Sequence, residues 1–280
     1  MATLLAQYLL NEGPGENTTL SDSSGNGNHL TLDLNGRSDH WSTLTNGSRC
    51  IYQGGRTTGI SAVKAPCPTL YEGLTKLTMV CVLQDMSGYS SGVRGVFIGT
   101  DGGNGNIMFG NSAAAQDFDC RWNYELDGDS TGPDYSRVYR DPTDKAAMAV
   151  YIVEYNYLDA AASEDHLVIL RNMVPEALVK TEGGLENHPS PADLAWAKFC
   201  LFNRPAKNSG WIGRYGYVEF WDGQLTAQEK QDATDALLLD CDEPWMGAPS
   251  TSVSFTQEPT STAITEDSVT AQATAESDAP

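Results

Sequence analysis

The sequence predicts an all-β fold, a two-sheet jelly-roll sandwich with one short C-terminal helix. Two observations predict the sheets: the 280 residues include 27 Gly and 13 Pro, and about eleven short alternating runs lie between turn-forming segments. A third observation, a helix-start pattern near residue 226, predicts the helix. With 40% hydrophobic residues, the chain can bury one large core.

The segment 211–223 is predicted to be the central strand, because bulky side chains alternate onto both of its faces. One parity carries Trp211, Tyr215, Tyr217 and Trp221, and the other carries Ile212, Val218 and Phe220. Asp222 and Gly223 form a turn pair, and Thr226 stands three residues before Glu229 as in a capping box. A helix from about residue 227 to 238 is therefore expected.

The other strands are predicted from the same alternation of apolar and polar residues. The long run 74–84 should be central, because one face carries Leu77, Met79, Cys81 and Leu83 while the other carries Val80 and Val82. Residues 127–144, rich in Asp, Gly and Pro, are interpreted as a loop. Further strands are expected at 4–10, 29–34, 48–53, 93–99, 106–110, 118–126, 147–158, 167–171 and 196–202.

The two ends of this region carry a family resemblance. The opening strand runs into an acidic Gly-Pro loop and then Asp22-Ser-Ser-Gly-Asn26-Gly-Asn28, and the closing aromatic strand leads into a helix that begins Leu225-Thr-Ala-Gln-Glu229. In this order the motifs resemble the laminin G-like branch of the concanavalin A-like lectin/glucanase superfamily. The resemblance implies a jelly roll over residues 1–247 whose first and last strands pair.

Residues 248–280 differ in composition from the rest of the chain. They are rich in Ser and Thr and contain neither Lys nor Arg. A disordered linker is the default interpretation of such a segment. Weak alternation at 251–256 and 268–274 leaves open the start of an immunoglobulin-like module.

The formal net charge of −20 argues against nucleic-acid binding, which draws much of its affinity from clustered Lys and Arg. No segment approaches the about 18 apolar residues that would span a bilayer, so membrane insertion is not expected. The six cysteines show no Cys-x-x-Cys spacing and are interpreted as buried thiols. Cys67 and Cys241, near loops, are the pair that could still be linked.

The localisation has to reconcile these features with the resemblance. The start of the sequence shows no secretory signal pattern, whereas proteins of the resembled fold usually work outside cells. A phage virion protein reconciles the two, because it is assembled in the host cytoplasm and meets glycans only after lysis. A trimmed chain, or an internal module of a longer extracellular protein, would also do so.

Calcium is a candidate cofactor, because it binds carboxylate, amide and backbone oxygens of flexible loops. Asp22, Asn26 and Asn28 occupy the early turn in which some members of the resembled family hold a structural calcium. Loops with Asp101, Asn104 and Asn106, and with Asp127, Asp129 and Asp134, are weaker candidates. The alternative is ordinary turn chemistry, in which Asx side chains accept hydrogen bonds from their own backbone.

Sugar binding, which the resemblance implies, would use aromatic rings that stack on the apolar faces of sugars. The candidate ligand-binding residues are Trp41, Trp122, Tyr124 and Tyr135. Alternating aromatic residues on a strand, as at Trp122 and Tyr124, are more often sandwich core. Trp41 and Tyr135 are expected in polar loops, where they have less reason to be buried.

Catalysis is not expected. The glucanase branch presents Glu-x-Asp-x-x-Glu, and the nearest match, Glu125-Leu-Asp127-Gly-Asp129-Ser130, has Ser130 in place of the second Glu. The four histidines of the sequence lack metal-ligand spacing.

The sequence therefore predicts a non-catalytic glycan-binding or adhesion module of a virion structural protein, in a tail fibre, baseplate or capsid decoration. Its expected partners are glycans or a host cell surface and other virion subunits, including further copies of itself. A purely structural assembly protein and a glycan hydrolase or lyase are the alternatives.

Overall fold

The computed structural model describes residues 1–10, 18–34, 40–43, 49–53, 60–64, 74–85, 93–99, 106–111, 118–124, 134–141, 148–156, 167–182, 198–203, 210 and 213–237. The strands in these ranges form two antiparallel sheets, of eight and nine strands, and one helix follows them. The predicted class, an all-β two-sheet sandwich with a short C-terminal helix, is confirmed.

The eight-stranded sheet has the order β14-β13-β12-β7-β17-β5-β4, with β1 also paired to β17. Its strands are β1 Thr3–Tyr8, β4 Trp41–Thr43, β5 Arg49–Gln53, β7 Lys76–Asp85, β12 Ala149–Asn156, β13 Leu167–Arg171, β14 Val174–Pro175 and β17 Gly213–Asp222.

The nine-stranded sheet has the order β15-β11-β10-β9-β8-β16-β6-β3-β2. Its strands are β2 Thr19–Leu20, β3 Leu30–Asp33, β6 Ser61–Lys64, β8 Val93–Gly99, β9 Asn106–Asn111, β10 Phe118–Tyr124, β11 Asp134–Asp141, β15 Ala177–Glu182 and β16 Lys198–Leu201. The additional strands, compared with the sequence-based expectation, are mostly two to four residues long, which is too short for alternation to identify.

Strand β17 is central, as predicted. It pairs with β7 on one side, and on the other side with β5 near its start and with β1 near its end. The β1–β17 pairing joins the two ends of the domain, which confirms the paired terminal strands that the resemblance implies.

Two apolar clusters lie on either face of the eight-stranded sheet. The cluster between the sheets includes Met79 and Cys81 of β7, together with Phe199 of β16. The second cluster includes Val80 and Val82 on the opposite face of β7, where helix α1 covers them. The two faces of β7 are therefore divided as its alternation predicts.

Among the described residues of β17, the predicted parity is wrong at Tyr215, while Trp211 and Ile212 lie outside the described residues. Tyr215 belongs to the cluster between the sheets with Val218 and Phe220, whereas Tyr217 and Trp221 belong to the cluster under the helix. The pairing with β7 shifts register between Tyr215 and Val218. Such an irregularity inserts an extra residue, so that the side chains before and after it change faces.

The interpretation of residues 127–144 as a loop is also wrong, because β11 spans Asp134–Asp141. This strand pairs with β10 on one side and with β15 on the other. Its ladder hydrogen bonds come from both neighbours and offset the low strand propensity of its Asp residues. The sequence of the segment alone shows neither neighbour.

Helix α1, Ala227–Leu237, begins with the predicted capping box. Glu229 N donates to Thr226 Oγ1 at 3.2 Å, and Thr226 N donates to Glu229 Oε2 at 2.6 Å. Its inner face buries Ala233 and Leu237 against the eight-stranded sheet. Within the described part of the chain, no helix is long and apolar enough to cross a membrane.

Cys50, Cys81 and Cys200 are buried and form no disulfide, as predicted. Burial raises the pKa of the Cys81 thiol far above its ordinary value. Cys67 and Cys241 lie outside the described residues.

Candidate functional site

The early turn is organised around the carboxylate of Asp22. Its Oδ1 accepts hydrogen bonds from the backbone N–H of Gln7 at 3.0 Å and of Ser24 at 2.9 Å, and its Oδ2 accepts one from Asn28 at 2.8 Å. Burial favours the protonated form and would raise the pKa of Asp22, but the hydrogen bonds from Ser24, Gln7 and Asn28 hold it below its usual value. The carboxylate thus fastens the turn to β1.

The two asparagine side chains of this turn donate to backbone rather than gather as oxygen ligands. Asn26 Nδ2 lies 2.9 Å from Leu4 O, and Asn28 Nδ2 lies 2.9 Å from Leu5 O. The Lys64 ammonium donates to Gly27 O at 2.8 Å, which places a positive charge beside the turn.

This donor set is that of a hydrogen-bonded Asx turn, in which both Asp22 oxygens accept backbone N–H groups. Among the described residues, no group of three or more His, Cys, Asp or Glu side chains is placed to hold a metal ion. Calcium binding at Asp22, Asn26 and Asn28 stays a prediction.

Three of the predicted sugar-binding aromatics, Trp122, Tyr124 and Tyr135, lie in the nine-stranded sheet, on different faces. Cys120 is opposite Phe109, which is 1% exposed and belongs to the cluster between the sheets. Because residues alternate along β10, Trp122 and Tyr124 share this inner face. Tyr135 is opposite Asn123 and therefore belongs to the outward face.

Tyr135 was expected in a loop from the sequence, but it lies in strand β11. Its outward face continues through Tyr139 on the same strand and Asn123 on β10. Register thus assigns two tyrosines, an asparagine and, opposite Tyr139, Asp119 to one face of the sheet, the face opposite to that of Phe109. Aromatic and amide groups on such a surface are suited to stacking on, and hydrogen bonding to, a sugar ring.

Trp41 is likewise not in a loop but begins β4, the edge strand of the eight-stranded sheet. It is opposite Ile51, which in turn is opposite Tyr215, so it lies on the inner face at the rim of the sandwich. Its indole is partly buried against the core, and its ring centroid lies 5.6 Å from that of His40. Trp41 Nε1 is buried without a hydrogen-bond partner among the described residues.

Tyr217 and Glu219 form a buried, hydrogen-bonded pair beneath helix α1, on the face of β17 that lies away from the other sheet. The Tyr217 hydroxyl donates to Glu219 Oε2 at 2.5 Å and accepts from Gln7 Nε2 at 2.5 Å. Burial raises the pKa of Glu219, and burial together with the Glu219 charge raises the pKa of Tyr217 well above its ordinary value. Both side chains are almost fully buried, so the pair belongs to the packing rather than to an open site.

Several predicted candidates lie outside the described residues. These are the glucanase-like segment 125–130, the loop residues Asp101 and Asn104, and the carboxylates Asp127 and Asp129. The histidines that are described hold structural positions: the backbone N–H of Asp22 donates to His29 Nδ1 at 3.0 Å, and His40 is buried.

Sequence reasoning missed one charged pair that the register reveals. Arg121 of β10 is directly opposite Arg137 of β11. The sequence analysis placed Arg121 in the expected strand 118–126 but interpreted the segment of Arg137 as a loop. The signal that could have found the pair is the alternating Tyr-x-Arg-x-Tyr run at 135–139.

No protein-family model matches the sequence, and no curated protein matches it. Solved structures do resemble it. The receptor-binding domain of botulinum neurotoxin mosaic serotype C/D matches with a TM-score of 0.55 and 8% identity, over 84% of this chain and 51% of that chain. The receptor-binding domain of botulinum neurotoxin D gives a TM-score of 0.54 and 8% identity, over 84% and 53% of the two chains.

A third similar structure is domain 4 of AbnA, a GH43 extracellular arabinanase from Geobacillus stearothermophilus, in complex with arabinotriose. It has a TM-score of 0.48 and 14% identity, over 83% of this chain and 98% of that chain. The chain spans about half the length of the two toxin domains. At 8% identity, those two matches establish a shared fold.

Proposed function

We propose that this chain is a non-catalytic glycan-binding and adhesion module of a virion structural protein. The observation that carries the proposal is the register of β10 and β11, which sets Tyr135 opposite Asn123 and Tyr139 opposite Asp119 on one face of the sheet. Tyrosine rings offer flat apolar surfaces, and the amide of asparagine can both donate to and accept from sugar hydroxyls. The receptor-binding domains that share the fold support a binding role for it.

The thiols support the virion part of the proposal. Cys50, Cys81 and Cys200 are buried, and none of the three is part of a disulfide. Buried cysteines outside disulfides suit folding in a reducing compartment, such as the cytoplasm of a host cell. The expected partners are therefore host or environmental glycans on one side and neighbouring virion subunits on the other.

The test is a glycan array probed with the purified chain, once with calcium and once with a chelator. Tyr135→Ala is expected to lose binding, because it removes a stacking ring worth about 1 kcal/mol or more. Tyr52→Ala, which removes a half-buried tyrosine from the other sheet, is the matched control. Trp41→Ala tests whether Trp41, at the rim of the sandwich, also contributes to glycan binding.

The array results separate the parts of the proposal. Loss of binding with chelator would place calcium in the site, despite the hydrogen-bonded state of Asp22. Equal binding by Tyr135→Ala and the parent chain would show that the β10–β11 face is not the site. A folded chain that binds no glycan would contradict the glycan-binding proposal.

The non-catalytic part needs its own measurement. The chain is incubated with the glycans that it binds, and their reducing ends or unsaturated products are quantified over time. We expect no turnover. Turnover that Glu125→Gln abolishes would instead establish a hydrolase or lyase.

One observation favours the purely structural alternative. Val174, on the short edge strand β14 of the eight-stranded sheet, is 65% exposed. An apolar residue on a free sheet edge can pair with a second chain. Analytical ultracentrifugation of the parent chain and of Val174→Lys tests this, because only an edge-to-edge oligomer would be dissociated by the added charge.

A further inference from the structure

Asn26 and Gly27 form an exposed asparagine–glycine pair in the early turn. Gly27 has a φ of 73°, a backbone conformation that residues with a side chain rarely adopt. Within the described part of the chain, a Cβ built on Gly27 would lie more than 4 Å from every heavy atom beyond its two chain neighbours. No side chain therefore crowds the backbone on that side of Gly27, and the pair is open to water.

An asparagine followed by glycine can deamidate without an enzyme or a cofactor, and asparagine is among the thermally labile residues. The Gly27 nitrogen attacks Asn26 Cγ and forms a new N–C bond, and the Cγ–Nδ2 bond breaks. Ammonia leaves with the proton of the Gly27 amide. Water then opens the five-membered imide and leaves aspartate or isoaspartate at position 26.

The fold opposes this reaction by holding the Asn26 side chain. Asn26 Nδ2 donates to Leu4 O at 2.9 Å and to Leu5 O at 3.1 Å, both on β1. The Asn26 backbone N–H donates to Ser24 Oγ at 3.2 Å. Nδ2 is the leaving group of the reaction, so strand β1 holds the atom that has to depart. The attack also requires Asn26 Cγ to turn toward the Gly27 nitrogen, which means giving up the hydrogen bonds to β1.

The carboxylate of Asp22 controls whether this part of the turn stays on β1. It accepts hydrogen bonds from Gln7 N of β1 and from Ser24 N and Asn28 N of the turn. The neighbouring Asn28 side chain adds another bond to β1, from Nδ2 to Leu5 O at 2.9 Å. Local opening of the turn, which needs no unfolding of the sheets, is therefore the step that frees Asn26.

We propose that Asn26 is a deamidation site gated by the attachment of the turn to β1. The reaction is suppressed while the turn is attached, and it proceeds at the rate of an unfolded chain whenever the turn detaches. The change is one-way, because the carboxylate formed at position 26 cannot donate to Leu4 O or Leu5 O. Each event therefore adds a negative charge and weakens the attachment of the turn to β1.

The experiment measures deamidation at Asn26 by peptide mass spectrometry, with fragment ions that assign the position. The purified chain is incubated in mildly alkaline buffer, once folded and once in urea. Asn26 is expected to react at least about tenfold more slowly in the folded chain, since two hydrogen bonds to β1 have to break first. The reference for an unprotected pair is the rate in urea of the three other asparagine–glycine pairs, Asn35-Gly36, Asn46-Gly47 and Asn104-Gly105.

Variants connect the protection to the turn. Asp22→Ala removes the carboxylate that fastens the turn and is expected to raise the rate at Asn26 in the folded chain by about tenfold. Asp235→Ala, which removes an exposed carboxylate from helix α1, is the matched control and should react like the parent chain. Ser24→Ala, which removes only the hydroxyl that accepts from Asn26 N, should raise the rate by about threefold. Ser24→Ala decides the question if circular dichroism shows that Asp22→Ala does not fold.

Each outcome supports or overturns the proposal. Slow deamidation in the folded parent chain, accelerated by Asp22→Ala or Ser24→Ala but not by Asp235→Ala, would support it. Equal rates in the folded chain and in urea would overturn it, because the turn would then offer no protection. Protection that both folded variants of the turn leave unchanged would overturn the gating. An Asn26 that stays intact in urea while the reference pairs react would show that it is not a deamidation site.

Discussion

The buried carboxyl of Glu219 should make the protein less stable as the pH rises. Glu219 is 1% exposed, and the groups that act on it, Tyr217, Trp221 and Gln7, are hydrogen-bond donors and not cations. Burial raises its pKa above the value of a free glutamate, and the donors offset only part of this effect. Glu219→Gln tests this effect of burial on stability, because glutamine has nearly the shape of glutamate but cannot carry the charge.

The sign follows from proton binding in the two states. Once the pH exceeds the pKa of the unfolded chain, unfolded Glu219 has lost its proton while folded Glu219 retains it. The free energy of unfolding then falls by up to about 1.4 kcal/mol per pH unit until the folded pKa is reached. Glu219→Gln removes this pH dependence. The free energy of unfolding of the variant, relative to that of the parent chain, should therefore increase between pH 4 and pH 8.

The assay is urea unfolding followed by tryptophan fluorescence at pH 4, 5, 6, 7 and 8, with equal m-values required of both proteins. Asp235→Asn, which removes an exposed carboxylate from helix α1, is the matched control and should track the parent chain. Parallel curves for Glu219→Gln and the parent chain across this range would refute the reasoning, because Glu219 would then titrate as it does in the unfolded chain.

Three further predictions concern side chains that stabilise the fold. Asp22→Asn should lower the free energy of unfolding by about 2 kcal/mol at pH 7 and by progressively less as the pH falls below 4. The reason is that the folded protein lowers the pKa of Asp22, so only the charged carboxylate is stabilising. Urea unfolding at pH 7 and pH 3 measures this. Phe199→Ala should cost about 3–5 kcal/mol, since its ring is fully buried and meets Phe220 of the other sheet edge-on at 5.1 Å; a loss under 1 kcal/mol would contradict this packing. Thr226→Ala should cost about 1 kcal/mol by removing the cap of helix α1, and Thr226→Ser should restore most of it in thermal unfolding.

The sequence by itself determined the elements whose pattern is long and regular. The alternation of β7 and β12, the capping box of helix α1 and the buried thiols could all be predicted, because each depends on residues a few positions apart. The resemblance of the two ends also anticipated the pairing of β1 with β17. These features confirm the all-β sandwich.

The tertiary structure alone decided which residues share a surface. Tyr215 changes face at the irregularity in β17, Tyr135 and Trp122 belong to opposite faces of one sheet, and Arg121 is opposite Arg137 in the register of β10 and β11. Local alternation gives the relative faces within one uninterrupted strand. It gives neither the register between strands nor the position of a bulge, because those depend on hydrogen bonds and packing with residues distant in the sequence.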